Sequence, residues 1–192
     1  MTLPIALTVA YLLGSIPTSY IIVHLITGRD IRTLGNGNPG MMNVWDSVGM
    51  RPALIVGLGD VGKGMAAVTV AYWLGFGDGI AILCGLLAVI GHDFSVFLRF
   101  DGGNGTAAGV GALFGLVPAA VAPAAGLAIL ITLATHSKRF GGAIGLLAVP
   151  AFTAWQQEPT TLVWGTVALL GVIALKIIRF EGFTPVRSRP PR

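Results

Sequence analysis

Long apolar runs separated by short polar, glycine-rich or proline-containing stretches recur along the whole chain. Seven can be traced, at about 4–27, 53–75, 79–98, 106–119, 121–135, 143–157 and 161–178. A helix needs roughly 20 mainly apolar residues to cross the hydrocarbon core of a bilayer, and most of these runs approach that length. The pattern predicts an all-α fold, a polytopic membrane helix bundle of about seven transmembrane helices. The fourth and fifth runs are short and are separated by Pro118 and Pro123, so they read as tilted, broken or partly re-entrant helices. Pro17 predicts a kink in the first helix, with Ser15 and Ser19 satisfying the backbone groups it frees.

Composition excludes a water-soluble alternative. Of 192 residues, 54% are hydrophobic and 10% charged, the mean hydropathy is +0.82, and an ordinary soluble domain carries about 25% charged residues. The single cysteine, Cys84, lies in an apolar run and rules out an internal disulfide or a CxxC motif. The first run has no basic region before it and no small-residue cleavage site after it, so it reads as a retained span and not a signal peptide. Residues 1–182 form one membrane domain, and 183–192, rich in Pro and Arg, form a disordered basic tail suited to anionic lipid headgroups.

Charge asymmetry predicts the orientation. Arg29, Arg32 and Arg51 flank the first connection, Arg99 the third, Lys138 and Arg139 the fifth, and Lys176, Arg179, Arg187, Arg189 and Arg192 the end. Eleven of the twelve basic residues therefore fall on alternate connections, and only Lys63 lies within a run. Short cytoplasmic loops accumulate Lys and Arg, so the N-terminus is placed outside and the C-terminus in the cytoplasm.

Two of the basic connections are glycine-rich. The first, from Gly28 to Asn43, contains Gly35-Asn36-Gly37-Asn38-Pro39-Gly40; the second, from Gly91 to Thr106, contains Arg99-Phe100-Asp101-Gly102-Gly103-Asn104-Gly105. Glycines at this density let backbone N–H groups converge on an anion, and a helix N-terminus just beyond adds a favourable dipole. The plain reading of any single Gly-Gly is a turn. Two such loops on one face, each with Asn and Arg, point to phosphate. Neither is a P-loop, no dinucleotide fingerprint follows a strand, and no nucleic-acid partner is expected. No His, Cys and carboxylate cluster has metal-ligand spacing, and no cofactor is expected. Gly105, Gly109, Gly111 and Gly115 read as a face for close helix packing.

Asp60 and Lys63 stand three apart inside the second run, where they can pair across a helical turn. Ionisable groups within a span are functional candidates, and a structural intramembrane pair is the leading reading here. His92 suits either a contact with phosphate or a helix-terminal hydrogen bond. His24 reads as structural and His136 as solvated.

Several of these segments together resemble the bacterial membrane acyl-phosphate glycerol-3-phosphate acyltransferases, the PlsY type. Gly14-Ser15-Ile16-Pro17-Thr18-Ser19-Tyr20, Asp30-Ile31-Arg32, Gly35 to Gly40 and Asn43-Val44 are similar to that family's first signature. Asp60-Val61-Gly62-Lys63-Gly64 is similar to its second-helix motif, and Gly91-His92 through Gly105 to its second signature. The chain departs from the pattern at Asn36, Met42, Asp46 and Asn104, where the family has Ser, Thr, Arg and Lys.

The resemblance implies transfer of an acyl group from acyl phosphate to the 1-hydroxyl of glycerol 3-phosphate, giving lysophosphatidic acid for phospholipid synthesis in the bacterial inner membrane. It implies His92, Asn38 and Asn43 as the catalytic set. Arg32, Gly35, Asn36, Gly37, Gly40, Arg51, Arg99, Gly102, Gly103, Asn104 and Gly105 are the substrate-phosphate set expected from the two loops, with Arg51 and Arg99 supplying charge where Asp46 and Asn104 depart from the family's cations. The substrates and membrane lipid are the expected partners. The alternative left open by the departures is a non-catalytic relative that binds phospholipid or a phosphorylated metabolite, or that scaffolds a partner enzyme.

Overall fold

The computed structural model describes residues 2–178, so the tail at 183–192 lies outside the described residues. Nine α-helices occur among them: α1 Thr2–Ser15, α2 Thr18–Thr27, α3 Met41–Ser47, α4 Met50–Trp73, α5 Asp78–Asp93, α6 Thr106–Leu116, α7 Pro118–Thr135, α8 Lys138–Trp155 and α9 Thr160–Lys176. Each of the seven apolar runs is helical, the first being divided into α1 and α2. Thr2–Thr27, Met50–Trp73, Asp78–Leu98 and Pro118–Thr135 are long and apolar enough to cross a membrane, whereas Thr106–Leu116 and Thr160–Lys176 are shorter apolar helices.

α5 is the central element, packed against α1, α4, α6 and α9. α7 and α8 pair with each other at the edge and reach the remainder through α6 and α9. Lipid tails are as apolar as leucine, so helices in a bilayer associate chiefly through close packing of small residues. The chain does this at paired points. Gly14 lies on the Ala88 carbonyl and Gly91 on the Tyr11 carbonyl, joining α1 to α5; Gly64 lies on the Ala108 carbonyl and Gly111 on the Val61 carbonyl, joining α4 to α6. A β-carbon at any of them would overlap backbone.

Three expectations are corrected. The glycines from 105 to 115 do not share one face: Gly111 and Gly115 meet α4, whereas Gly105 and Gly109 meet α5 and α9. Two residues advance a helix by about 200°, so positions 109 and 111 must face opposite ways. Pro17 does not kink one helix but separates α1 from α2. Nor do the nearby serines repair that break. Ser19 Oγ donates to the Pro39 carbonyl at 2.8 Å, and Ser15 Oγ has no hydrogen-bond partner among the described residues. Instead Lys63 Nζ donates to the Ile16 carbonyl at 2.8 Å and Ser95 Oγ to the Ser15 carbonyl at 2.5 Å. A long cationic stem from α4 reaches the exposed carbonyl that a short serine at the break does not.

Candidate active site

The first loop is shaped by side chains. Asn43, buried in α3, donates from Nδ2 to the Leu34 carbonyl at 3.0 Å and to the Ile31 carbonyl at 3.4 Å. Its Oδ1 accepts from the Asn36 N–H at 3.0 Å and from Ser47 Oγ at 3.3 Å. Gly35 sits in the left-handed region at φ 52, against Asn43 and Ser47, where a side chain has no room. The Asn36 carboxamide accepts from the Asn38 N–H at 2.9 Å, and the Asn38 side chain lies beside Gly40. Gly37 donates to the Leu34 carbonyl and Gly40 to the Asn38 carbonyl, each at 2.9 Å.

The second loop is held by main chain. After α5, Gly102 donates back to the Asp93 carbonyl at 3.2 Å and Gly103 to the His92 carbonyl at 3.1 Å. Gly103 also lies directly on the His92 ring at Nε2, and Gly102 on the His92 carbonyl, so a β-carbon at either would collide. Gly105 turns into α6 at φ 67, with Asn104 partly exposed beside it. Arg99 and Phe100 are left-handed, at φ 55 and 64, and exposed.

Arg32 joins the loops. It bonds Asp30 through Nη2 at 2.7 Å and Nε at 3.0 Å, donates from Nη1 to the Leu98 carbonyl at 3.1 Å, and stands 3.7 Å from Asp101. Burial pushes the Asp30 carboxyl up, but the hydrogen bonds and charge of Arg32 outweigh it and hold the group below the usual carboxylate range. The hydrogen bond to Asp30 raises Arg32 in turn. Lys138 covers the Trp45 ring at 4.0 Å, and Lys176 donates to the Asp93 carbonyl at 3.0 Å above the Phe94 ring. Both loops, the start of α8 and the end of α9 therefore meet at one end of the bundle. Arg51 is exposed at the start of α4, and neither it nor Arg99 makes an ion pair among the described residues. His24 stacks on Tyr20 with ring centres 5.5 Å apart, and His136 is exposed at the end of α7.

Beneath the loops lies a buried polar cluster. Lys63 Nζ is 2.8 Å from Asp60 Oδ1, as the helical spacing requires, and His92 Nδ1 is 3.6 Å from the same oxygen. All three border a small cavity with Ser19, Pro39 and Gly103. Reading the pair and the histidine separately missed this convergence, because α4 and α5 meet only in the folded bundle. Ser19 and Ser95 were also missed as loop anchors. No group of three or more His, Cys, Asp or Glu positioned for a metal ion occurs among the described residues.

Comparison with known proteins agrees with this architecture. The family model for glycerol-3-phosphate acyltransferase matches residues 4–182. A Dehalococcoides mccartyi glycerol-3-phosphate acyltransferase 2 is 47% identical over 59% of this chain and 54% of its own length, and a second strain's protein is likewise covered over 54%. The match thus spans about half the length of those two relatives. The Geobacter sulfurreducens glycerol-3-phosphate acyltransferase is 37% identical over 88% of this chain and 86% of its length. The crystal structure of PlsY (YgiH), an integral membrane glycerol 3-phosphate acyltransferase, in its glycerol 3-phosphate form superposes with a TM-score of 0.84 at 25% identity, covering 92% of this chain and 88% of that one. With a family model matched over nearly its whole length and a full-length relative above one-third identity, the chain belongs to the glycerol-3-phosphate acyltransferase family, whose members are membrane acyltransferases of the PlsY type.

Proposed function

We propose that this protein is a multi-pass enzyme of the bacterial inner membrane that transfers an acyl group from acyl phosphate to the 1-hydroxyl of glycerol 3-phosphate, giving lysophosphatidic acid and inorganic phosphate. The observation that carries the reading is the joining of two glycine-rich loops by Arg32 at one end of an apolar bundle. Family membership and the likeness to PlsY in its glycerol 3-phosphate form support the substrate. The basic residues favour the cytoplasm as the side on which both loops lie.

The substrate hydroxyl attacks the acyl carbonyl carbon, the new ester bond forms, the bond from that carbon to the phosphate oxygen breaks, and the hydroxyl proton leaves with the inorganic phosphate. Acyl phosphate is already activated, so alignment and stabilisation of the charge on the carbonyl and leaving phosphate suffice. The loop geometry divides the labour. The amides of Gly37, Gly40, Gly102 and Gly103 are spent on the loops themselves, as are Asn43 and Arg32. They set the frame, together with Gly35 and Asn36. Phosphate is then met by the Asn38 and Asn104 side chains, by the open first turn of α6 after Gly105, and by the charge of Arg51 and Arg99.

The test uses purified protein in lipid vesicles supplied with glycerol 3-phosphate and either acyl phosphate or acyl-CoA, with lysophosphatidic acid read by mass spectrometry. Product from acyl phosphate alone is expected. Product only from acyl-CoA rejects the donor, and no product from either rejects the activity.

A further inference from the structure

Asp60 is out of keeping with a purely structural role. It is 1% exposed and Lys63 is 7% exposed, and both Asp60 oxygens lack an aligned hydrogen bond among the described residues. Taking two charges out of water is expensive, and their attraction offsets that cost only where the geometry is good and the remaining lone pairs are filled. Asn43 shows what a structural brace looks like in this molecule, with both ends of its amide engaged. Asp60 instead faces a ring nitrogen of His92, whose other nitrogen bears on Gly103. His92 Nδ1 likewise has no hydrogen-bond partner among the described residues. The nearby carboxylate favours the tautomer with its proton on Nδ1, leaving Nε2 as an acceptor on the loop side.

We propose that Asp60, its charge balanced by Lys63, is a positioning residue for His92 and, through it, for the Gly102-Gly103-Asn104 turn that meets glycerol 3-phosphate. This rests on the acyltransferase reading for the identity of the ligand. The chain of contacts is continuous: Lys63 to Asp60, Asp60 to the ring, the ring to Gly103. The His92 carbonyl and the Gly103 N–H close the same turn from the backbone side. Lys63 anchors the unit to the break after α1 through the Ile16 carbonyl. A cluster within the helices thereby sets the shape of a loop at their end.

The experiment replaces the pair by Asp60→Asn with Lys63→Met, which removes both charges and leaves neither one alone. Thermal stability of the detergent-solubilised protein is expected to fall by no more than the loss of one hydrogen bond, that of Lys63 to the Ile16 carbonyl, while affinity for glycerol 3-phosphate, read by calorimetry, falls about 10- to 100-fold, the range seen when a metal-bound histidine loses its orienting partner. In turnover the loss is expected in KM for glycerol 3-phosphate, and a loss confined to KM for acyl phosphate overturns the assignment of this turn to glycerol 3-phosphate. Adding His92→Gln is expected to deepen the loss little, since Asp60 acts through that ring. Parental affinity in the charge-free pair, or losses that simply add, overturns the proposal. If the Asn/Met pair does not fold, Asp60→Leu with Lys63→Met carries the same cycle. A parent that binds glycerol 3-phosphate without turnover rejects only the acyl-transfer reading; a parent that neither binds nor turns over rejects both.

Discussion

The first glycine-rich loop is braced by side chains, above all the Asn43 amide that reaches Ile31, Leu34 and Asn36, whereas the second is held by the Gly102 and Gly103 amides folded back on the end of α5. Their compositions are alike, and their weaknesses are opposite. A loop braced by a side chain is lost when that chain is shortened. One pressed flat against a helix end is lost when anything is added. Arg32 belongs to both, bonding Asp30 on its own side and the Leu98 carbonyl on the other.

Asn43→Ala should break the comparison most strongly. It removes one of the two hydrogen bonds at each of the Ile31 and Leu34 carbonyls, which keep the Leu34 and Gly37 N–H groups, and frees the Asn36 N–H, each lost bond costing about 1 kcal/mol. A stability loss of about 3 kcal/mol is expected in denaturation of the solubilised protein. Hydrogen exchange should accelerate over 31–47 and hold steady over 93–105, and equal acceleration in both loops would show that they unfold as one body.

Gly103→Ala is the converse. The added methyl meets the His92 ring and must displace it or the turn, at about 1–3 kcal/mol. Exchange is expected to rise over 93–105 alone. Combining it with His92→Ala makes room and should recover part of the loss; no recovery would locate the strain elsewhere.

The smallest effect belongs to the link. Asp30 sits below its usual carboxylate range because Arg32 favours its charged form. Its contribution is therefore present above the unfolded value of about 3.9 and fades as pH falls through the lower folded value. The pair is about a quarter exposed, so solvent screening limits it to a few tenths of a kcal/mol. Asp30→Asn should remove that acid dependence from the exchange of 30–34, and persistence of the dependence would assign it to another carboxylate.

Much of this was legible beforehand because it depends on neighbours in sequence. The runs that became α4 to α9 announced themselves by apolar length, and the spacing of Asp60 and Lys63 alone puts them on one helical face. An interruption at Pro17 was visible too, since proline lacks the N–H a helix would use, but as a kink in one helix and not as the separation of α1 from α2. What repairs it was not, because Lys63 and Ser95 lie 47 and 80 residues away from their partners Ile16 and Ser15. The short helix α3 was hidden for a related reason. Seven residues, Met41–Ser47, carry too little periodicity to stand out, and that helix exists to present Asn43 to a loop.

By itself the sequence determined a helical membrane chain, the family it belongs to, and two glycine-rich loops to which we assign phosphate, since hydropathy, motif order and glycine content are local properties. Tertiary structure decided which glycine amides are already spent, that Arg32 couples the loops, and that His92 stands between Asp60 and Gly103. Those facts depend on where α4 and α5 come together, and helix contact in a bilayer is settled by small residues meeting across space and not by order along the chain.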